Sequence, residues 1–256
     1  MKKLWLGSVA LIALGVPAIA ADTPVKAPPV AAPVPYFNWT GCYLGAHVGG
    51  AWGRKDFGDP TGVNFAPPGE TVDVKVSGWI GGAQLGCDYQ IAANWVVGAE
   101  VDFSFADLKG SAADPFFEGK NLEARTRWLA TATGRIGYAM DRTLIYVKGG
   151  GAWARDQYDL RADPFVIIPG LLEFPGGTAS AKETRAGWTV GFGLERAIWD
   201  NWSVKFEFNH YELGTRRITL LDPVNGTQDA DIKQRIDAAK IGLNYRFGAT
   251  AVSARY

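Results

Sequence analysis

Few residues in this chain have the types and the spacing that catalysis requires. Only two of its 256 residues are histidines, His47 and His210. Glu212 follows His210 closely, but a lipid deacylase would need a serine at that position, and no G-x-S-x-G nucleophile elbow occurs. We therefore expect His47 to be an interior polar residue and His210 an interfacial one. The sequence predicts no catalytic residues and no enzyme activity.

Motifs for cofactors and metal ions are missing from the sequence as well. It contains no Walker motif, no HExxH and no CxxC. Gly191 and Gly193 lie in a strand-like pattern, without a following helix that could hold a phosphate group. Asp229, Asp231 and Asp237 are spaced too irregularly for a calcium-binding loop. We expect neither a cofactor nor a bound metal.

The first 36 residues have the features of an export signal and a tether. Lys2 and Lys3 precede an apolar stretch over 4–16, and Ala18-Ile19-Ala20 has the small-residue pattern of a cleavage site. Five prolines follow among alanines and valines, which favours an extended chain. The sequence predicts a signal peptide over 1–20, a Pro/Ala-rich periplasmic linker over 21–36, and a folded domain over 37–256.

The folded domain shows the alternation of apolar and polar residues that is typical of strands. The clearest segment is Trp95–Phe105, where Glu100 and Asp102 lie on the face opposite the apolar residues. Eight such segments can be delimited, at about 41–53, 74–90, 95–105, 123–139, 143–154, 184–197, from Trp202 onward, and from after Asp231 to Phe247. No stretch is apolar for long enough to form a membrane helix.

The connections between these segments alternate in length. Those at 90–94, 140–142 and 198–201 are short, whereas 54–73, 107–122, 155–183 and 214–231 are long and polar. Tight periplasmic turns alternating with longer outer loops are typical of transmembrane β-barrels.

A soluble barrel or sandwich would bury its apolar faces, whereas a membrane barrel turns them toward lipid. Aromatic residues lie ten positions apart on these faces, as in Trp79 and Tyr89 or Trp128 and Tyr138. Ten tilted residues span ~26 Å, close to the ~25 Å apolar band between two aromatic girdles. Small residues separate the aromatics. The sequence therefore predicts an all-β, eight-stranded, antiparallel up-and-down transmembrane barrel.

The opposite faces carry charged side chains that would point into this barrel. They are Glu100, Asp102, Arg127, Arg135, Lys148, Glu195, Lys205, Glu207, Lys240 and Arg246. An eight-stranded barrel is filled by its own side chains, and buried charges need partners. We expect a salt-bridged plug. Lys plus Arg and Asp plus Glu both number 26 in the chain, a balance that excludes a typical nucleic-acid-binding protein.

The two cysteines fall on the same face of neighbouring predicted strands. Cys42 and Cys87 both lie near the periplasmic ends. The periplasm is oxidising, which favours a disulfide, but directly paired strand positions often strain one. From the sequence alone, the two thiols could be bonded or free.

Several segments resemble one family of surface proteins. They are Phe37-Asn38-Trp39-Thr40-Gly41-Cys42-Tyr43-Leu44-Gly45, Gly49-Gly50-Ala51-Trp52-Gly53, Leu144 to Trp153 and Lys240 to Phe247. Nearly the whole mature chain resembles the outer-membrane immunogenic proteins of Brucella and rhizobia, also known as opacity-like porin-family surface antigens. One departure concerns the end of the chain, where nine residues follow Phe247 and Tyr256 is out of phase with it.

The resemblance implies a structural protein of the Gram-negative outer membrane that supports the envelope and exposes surface loops. Some family members are attached to peptidoglycan through an Ala-Asp N-terminus, and Ala21-Asp22 matches that dipeptide. The partners implied are outer-membrane lipid and lipopolysaccharide, the β-barrel assembly machinery and peptidoglycan, with no nucleic acid. A small porin or diffusion channel and an adhesin are the alternative functions.

Overall fold

The computed structural model describes residues 37–62, 67–116, 120–168, 172–174, 176–222 and 226–247. The predicted signal peptide and linker, including Ala21-Asp22, and the C-terminal residues 248–256 lie outside the described residues. No helix in the described part of the chain is long and apolar enough to cross a membrane.

The described residues form β-strands joined by turns and loops. The strands are β1 (Gly41–Gly58), β2 (Thr71–Gln90), β3 (Trp95–Ala113), β4 (Lys120–Met140), β5 (Thr143–Ala162), β6 (Phe165–Ile168), β7 (Leu172–Phe174), β8 (Gly177–Ala197), β9 (Trp202–Asp222) and β10 (Gly226–Phe247).

Eight of these strands close into a barrel in the order β1-β10-β9-β8-β5-β4-β3-β2. Each strand pairs antiparallel with its neighbours, and β1 closes the ring by pairing with β10 as well as with β2. β6 and β7 form a separate short hairpin within the connection from β5 to β8. The predicted fold class, an eight-stranded up-and-down barrel, is confirmed.

The apolar faces point outward through the lower part of the barrel, where the tight turns lie. Tyr89 is 63% exposed and Phe192 is 57% exposed, with Leu44, Val101 and Ile241 each at 52%. A soluble protein rarely exposes so large an apolar surface. The alternation of the strands therefore places this surface against lipid and the polar side chains inside.

The strands are longer than the sequence pattern predicted, and the outer loops are correspondingly shorter. β1 continues to Gly58 and β2 begins at Thr71, so much of the predicted loop 54–73 is strand. The connection from β9 to β10 spans only 223–225. The strands therefore extend into much of the four predicted loops. The barrel continues on the extracellular side of the aromatic residues that mark the outer membrane boundary.

The interior of this extracellular part of the barrel is apolar. Its buried residues include Phe57, Val72, Val74, Val76, Leu108, Leu122, Leu160, Leu213, Ile218, Leu220, Ile232 and Ile236. Charged residues occupy the outside of the same strands, for example Arg54, Lys75 and Arg235. The barrel thus reverses its polarity along its axis, because the outer solvent changes from lipid to water.

Candidate functional site in the barrel interior

The part of the lumen that crosses the membrane contains a dense set of ionised side chains, which we call the lumen network. It comprises Asp88, Glu100, Asp102, Arg135, Lys148, Glu195, Lys205, Glu207, Lys240 and Arg246, all of them buried. Period-two alternation on seven strands directs them inward. Each lies within 4.0 Å of at least one opposite charge.

Two glutamates and two lysines form the middle of the lumen network. Glu100 accepts from Lys148 Nζ at 2.8 Å through Oε1 and from Lys205 Nζ at 2.8 Å through Oε2. Glu207 lies 2.9 Å from Lys148 Nζ and 3.4 Å from Lys205 Nζ. Each ammonium group therefore bridges the same two carboxylates, which offsets the cost of burying all four charges.

A second group surrounds Asp102 on the β1 side of the lumen. Lys240 Nζ donates to Asp102 Oδ2 at 2.7 Å. His47 lies inside, as expected, with Nδ1 2.6 Å from Gln84 Oε1 and Nε2 2.7 Å from Ser104 Oγ. The imidazole is held by hydrogen bonds on both nitrogens, an arrangement that fits a structural role.

Two arginines form the periplasmic end of the lumen network. Arg135 donates to Asp88 through two nitrogens and lies 3.2 Å from Glu195 Oε2. Arg246 lies 2.9 Å from Asp88 Oδ2 and 3.0 Å from Glu195 Oε1. Planar guanidinium groups suit such multiple contacts with carboxylates.

Aromatic side chains close the lumen around these arginines. Arg246 lies 4.6 Å from the ring centre of Trp39 and 4.9 Å from that of Tyr43. Trp39 is fully buried and donates its indole N–H to the carbonyl oxygen of Asp141 at 3.1 Å. Because Trp39 precedes β1, the start of the folded domain covers the periplasmic mouth.

Inward glycines make room for two tyrosines. The Tyr43 hydroxyl donates to Glu100 at 2.8 Å and the Tyr146 hydroxyl to Glu207 at 2.7 Å. A Cβ at Gly86 would collide with the Tyr43 ring, and one at Gly193 with the Tyr146 ring. These glycines therefore allow the phenols to reach the carboxylates.

Arg127 does not belong to the lumen network, and this part of the prediction is wrong. A β-bulge lies between Thr126 and Trp128 in the pairing of β4 with β5. Arg127 is exposed there and donates to Gln157 Oε1 at 3.3 Å. The bulge adds one residue to the strand, so the inward parity changes above it.

Asp88 is a member of the lumen network that the predicted set of interior charges did not include. The alternation of β2 directs it inward, but the sequence does not show that it pairs with the interior arginines, because Arg135 lies 47 positions farther along the chain. Among the described residues, the membrane part of the lumen thus holds five cations and five carboxylates. The interior is electrically balanced and filled, as expected for a plug.

A smaller polar cluster lies higher, inside the apolar part of the barrel. Lys55 Nζ is 2.7 Å from Asp156 Oδ1, and Arg185 Nε is 4.0 Å from Asp156 Oδ2. Burial lowers the pKa of Lys55, although Asp156 opposes that effect. Sequence reasoning missed all three residues: Lys55 and Asp156 lie in segments assigned to loops, and Arg185 lies at the start of a predicted strand.

The two cysteines are joined by a disulfide in the structure. Cys42 and Cys87 are directly opposite in the pairing of β1 with β2, with Cα atoms 3.9 Å apart. Both lie on the outward side near the periplasmic end. The bridge therefore fastens the hairpin that contains the closing strand β1.

The second histidine lies at the outer edge of the lipid-facing surface. His210 Nδ1 is 2.7 Å from Asp237 Oδ1, and its ring lies 5.9 Å from that of Trp188. No group of three or more potential metal ligands occurs among the described residues. The site chemistry is that of ion pairing and packing.

A closed antiparallel ring with an apolar exterior and an ion-paired interior is a transmembrane β-barrel. The chain belongs to the outer membrane protein beta-barrel domain family, whose sequence model matches residues 6–247. This places it in the outer membrane, and it confirms the family and location that the sequence predicted.

Curated relatives and one solved structure agree with this assignment. The chain is 35% identical to the 31 kDa outer-membrane immunogenic protein of Brucella melitensis, over 96% of this chain and 100% of the relative. It is 25% identical to the 25 kDa outer-membrane immunogenic protein of Brucella abortus, over 96% and 99%. The outer membrane protein OprG from Pseudomonas aeruginosa shares the fold, with a TM-score of 0.51, 10% identity, and coverage of 82% of this chain and 98% of OprG.

Proposed function

We propose that the protein is a structural component of the cell envelope whose barrel is closed to ions and whose outer rim is a surface antigen. The lumen network carries this proposal, because ten mutually paired charges fill the cross-section through which ions would pass. Two relatives are named outer-membrane immunogenic proteins, which supports the antigenic role.

The same interior supports a protein without enzymatic activity. His47 uses both ring nitrogens, and His210 uses Nδ1, in hydrogen bonds to neighbouring polar side chains. His47 lies 2.7 Å from Ser104 Oγ and 3.4 Å from Asp102 Oδ2, but all three side chains are buried in the filled lumen, and the Ser104 hydroxyl donates to Asp102. This serine is therefore held inside the lumen, away from any substrate that it could attack. We assign the buried charges to folding and closure of the barrel.

The proposal includes an attachment to the cell wall. Cleavage after Ala20 would expose Ala21-Asp22, and the proline-rich segment would give this N-terminus reach from the barrel. The buried Trp39 would anchor the tether at the periplasmic mouth, where its backbone N–H donates to Gln90 Oε1 at 3.0 Å. Mass spectrometry of muropeptides after lysozyme digestion should detect peptides that begin at Ala21; finding only free Ala21 amino termini contradicts the attachment.

Conductance of the purified barrel in planar bilayers tests closure directly. We expect heat-modifiable mobility on gels, as for a folded barrel, and no steady single-channel current. Steady current from such heat-modifiable protein would favour the small porin instead.

An adhesin is the second candidate, because the barrel extends beyond the membrane on the extracellular side. The hairpin β6–β7 belongs to the connection between β5 and β8 on that side. Deleting 163–176 should leave assembly intact. Loss of binding to host surfaces in that variant, with unchanged gel mobility, would favour the adhesin.

A further inference from the structure

A row of cations follows six of the eight barrel strands just above the aromatic residues of the outer membrane boundary. One exposed or half-exposed cation stands on each of six neighbouring strands, β10, β1, β2, β3, β4 and β5. The residues are Arg235, Arg54, Lys75, Lys109, Arg125 and Arg155, which we call the basic belt.

The strand register places like charges of the basic belt beside one another. Arg54 is directly opposite Arg235 on one side and Lys75 on the other. Lys109 is directly opposite Arg125. Like charges at directly opposed positions destabilise a sheet, so this arrangement has a cost in the protein alone.

Two carboxylates approach the first cations of the basic belt from the extracellular side. Arg235 Nη2 is 3.1 Å from Asp56 Oδ2, and Arg54 Nη1 is 3.9 Å from Asp73 Oδ2. Burial and the facing Asp73 raise the pKa of Asp56. Lys75 has no carboxylate within ion-pair distance in the described part of the barrel.

A cleft of about 630 Å³ opens beside the first three cations of the basic belt. Its lining includes Trp52, Arg54, Lys75, His210, Arg235 and Asp237. Below it Trp52 packs near Phe208, with ring centres 6.1 Å apart, on the surface that faces lipid. The cleft therefore has basic groups toward water and an apolar floor toward the membrane.

We propose that this cleft binds the phosphorylated headgroup of an outer-leaflet glycolipid, with the rest of the basic belt contacting neighbouring headgroups. A phosphate would relieve the repulsion among Arg54, Lys75 and Arg235, and arginine can hold it through two parallel hydrogen bonds. The acyl chains would continue down the apolar face below Trp52. The proposal rests on the envelope role above, because it requires the barrel to lie in an asymmetric outer membrane.

The acidic neighbours set the specificity of the cleft. Asp237 is hydrogen-bonded to His210, and Glu212 lies directly opposite Arg235. These two carboxylates offset two of the three positive charges of the cleft, so it would attract free anions only weakly from a distance. Binding instead requires an amphiphile whose tail is already in the membrane.

Native mass spectrometry of the full barrel in detergent tests the proposal, with lipid A carrying both phosphates as the probe. The variant is Arg54→Gln/Lys75→Gln/Arg235→Gln, and the control is Arg161→Gln/Lys182→Gln/Arg217→Gln, which removes the same charge farther from the membrane. We expect about a tenfold loss of apparent affinity in the first variant, a small change in the control, and a loss in the native protein when both phosphates are removed.

Two results would overturn the proposal: equal retention of phosphorylated and dephosphorylated lipid by the native protein, or undiminished retention by the triple variant. Arg54→Gln alone provides the test if the triple variant lacks heat-modifiable mobility, and undiminished retention by that single variant has the same meaning. Bilayer conductance is measured separately, so a failure of the closed-barrel function is distinguishable from a failure of lipid binding.

Discussion

Glu100 and Glu207 are joined in the barrel lumen by the same two ammonium groups. Lys148 and Lys205 each contact both carboxylates, at distances between 2.8 and 3.4 Å. Two like charges can be buried side by side only because these cations lie between them. The stability of the barrel should therefore depend on the balance of charges as well as on their number.

Replacing Glu100 by glutamine should destabilise the barrel by about 3–5 kcal/mol, because it leaves buried lysines without full compensation. Urea unfolding in detergent measures this change. The double variant Glu100→Gln/Lys205→Met removes one charge of each sign and should recover much of the loss. The exposed Glu70→Gln serves as the control, and equal effects of Glu100→Gln and Glu70→Gln would contradict the paired lumen.

The bulge in β4 gives a second prediction, from two arginines eight residues apart. Arg127→Gln should change the free energy of unfolding by no more than about 0.5 kcal/mol, since the side chain is exposed. Arg135→Gln should cost about 3–5 kcal/mol, because Asp88 and Glu195 lose a buried partner. The same urea titration compares them, and similar losses would place Arg127 inside the barrel.

These two arginines show where sequence reasoning succeeds and where it ends. Period-two alternation correctly directs Arg135 inward, since no irregularity separates it from its neighbours. The same alternation fails for Arg127, because nothing in the local sequence marks the extra residue of a bulge.

The extent of the strands was missed for a different reason. In β2 the apolar residues stand at even positions through Val72, Val74 and Val76, and at odd positions from Trp79 to Tyr89. The strand itself is continuous, so this change of parity records a change of solvent outside the barrel. A search for one lipid-facing pattern loses the strand above this change of parity, so the predicted strand begins only at 74 and residues 71–73 fall in the predicted loop.

Lys55 is buried in the extracellular part of the barrel, on β1. It should make the free energy of unfolding depend on pH in the alkaline range. Its pKa is lowered in the folded barrel by burial, so the unfolded chain binds more protons between that lowered pKa and about 10.5. The penalty for burying the ammonium group is full below this window and is relieved as pH rises through it. Unfolding free energy should therefore increase with pH more in the native protein than in Lys55→Met.

Urea unfolding of both proteins between pH 7 and about pH 10 gives this difference. The exposed Lys182→Met is the matched control and should follow the native protein. A constant difference between the native protein and Lys55→Met over the whole range would show that the ammonium group bears no such penalty.

The disulfide between Cys42 and Cys87 should stabilise the barrel through the chain segment that it closes. The two residues are 45 positions apart, and a bridge over such a segment contributes about 2–4 kcal/mol by restricting the unfolded chain. Cys42→Ser/Cys87→Ser should therefore unfold at lower urea concentration. It should still assemble, because β1 and β2 pair along their whole length through backbone hydrogen bonds.

Gel mobility with and without reductant distinguishes this effect from damage by the substitutions. Heat-denatured native protein should migrate faster without reductant than with it, and the double variant should migrate identically under both conditions. Reduction of the native protein should lower its unfolding midpoint to that of the double variant. An unchanged midpoint after complete reduction would mean that strand pairing alone holds the closing hairpin.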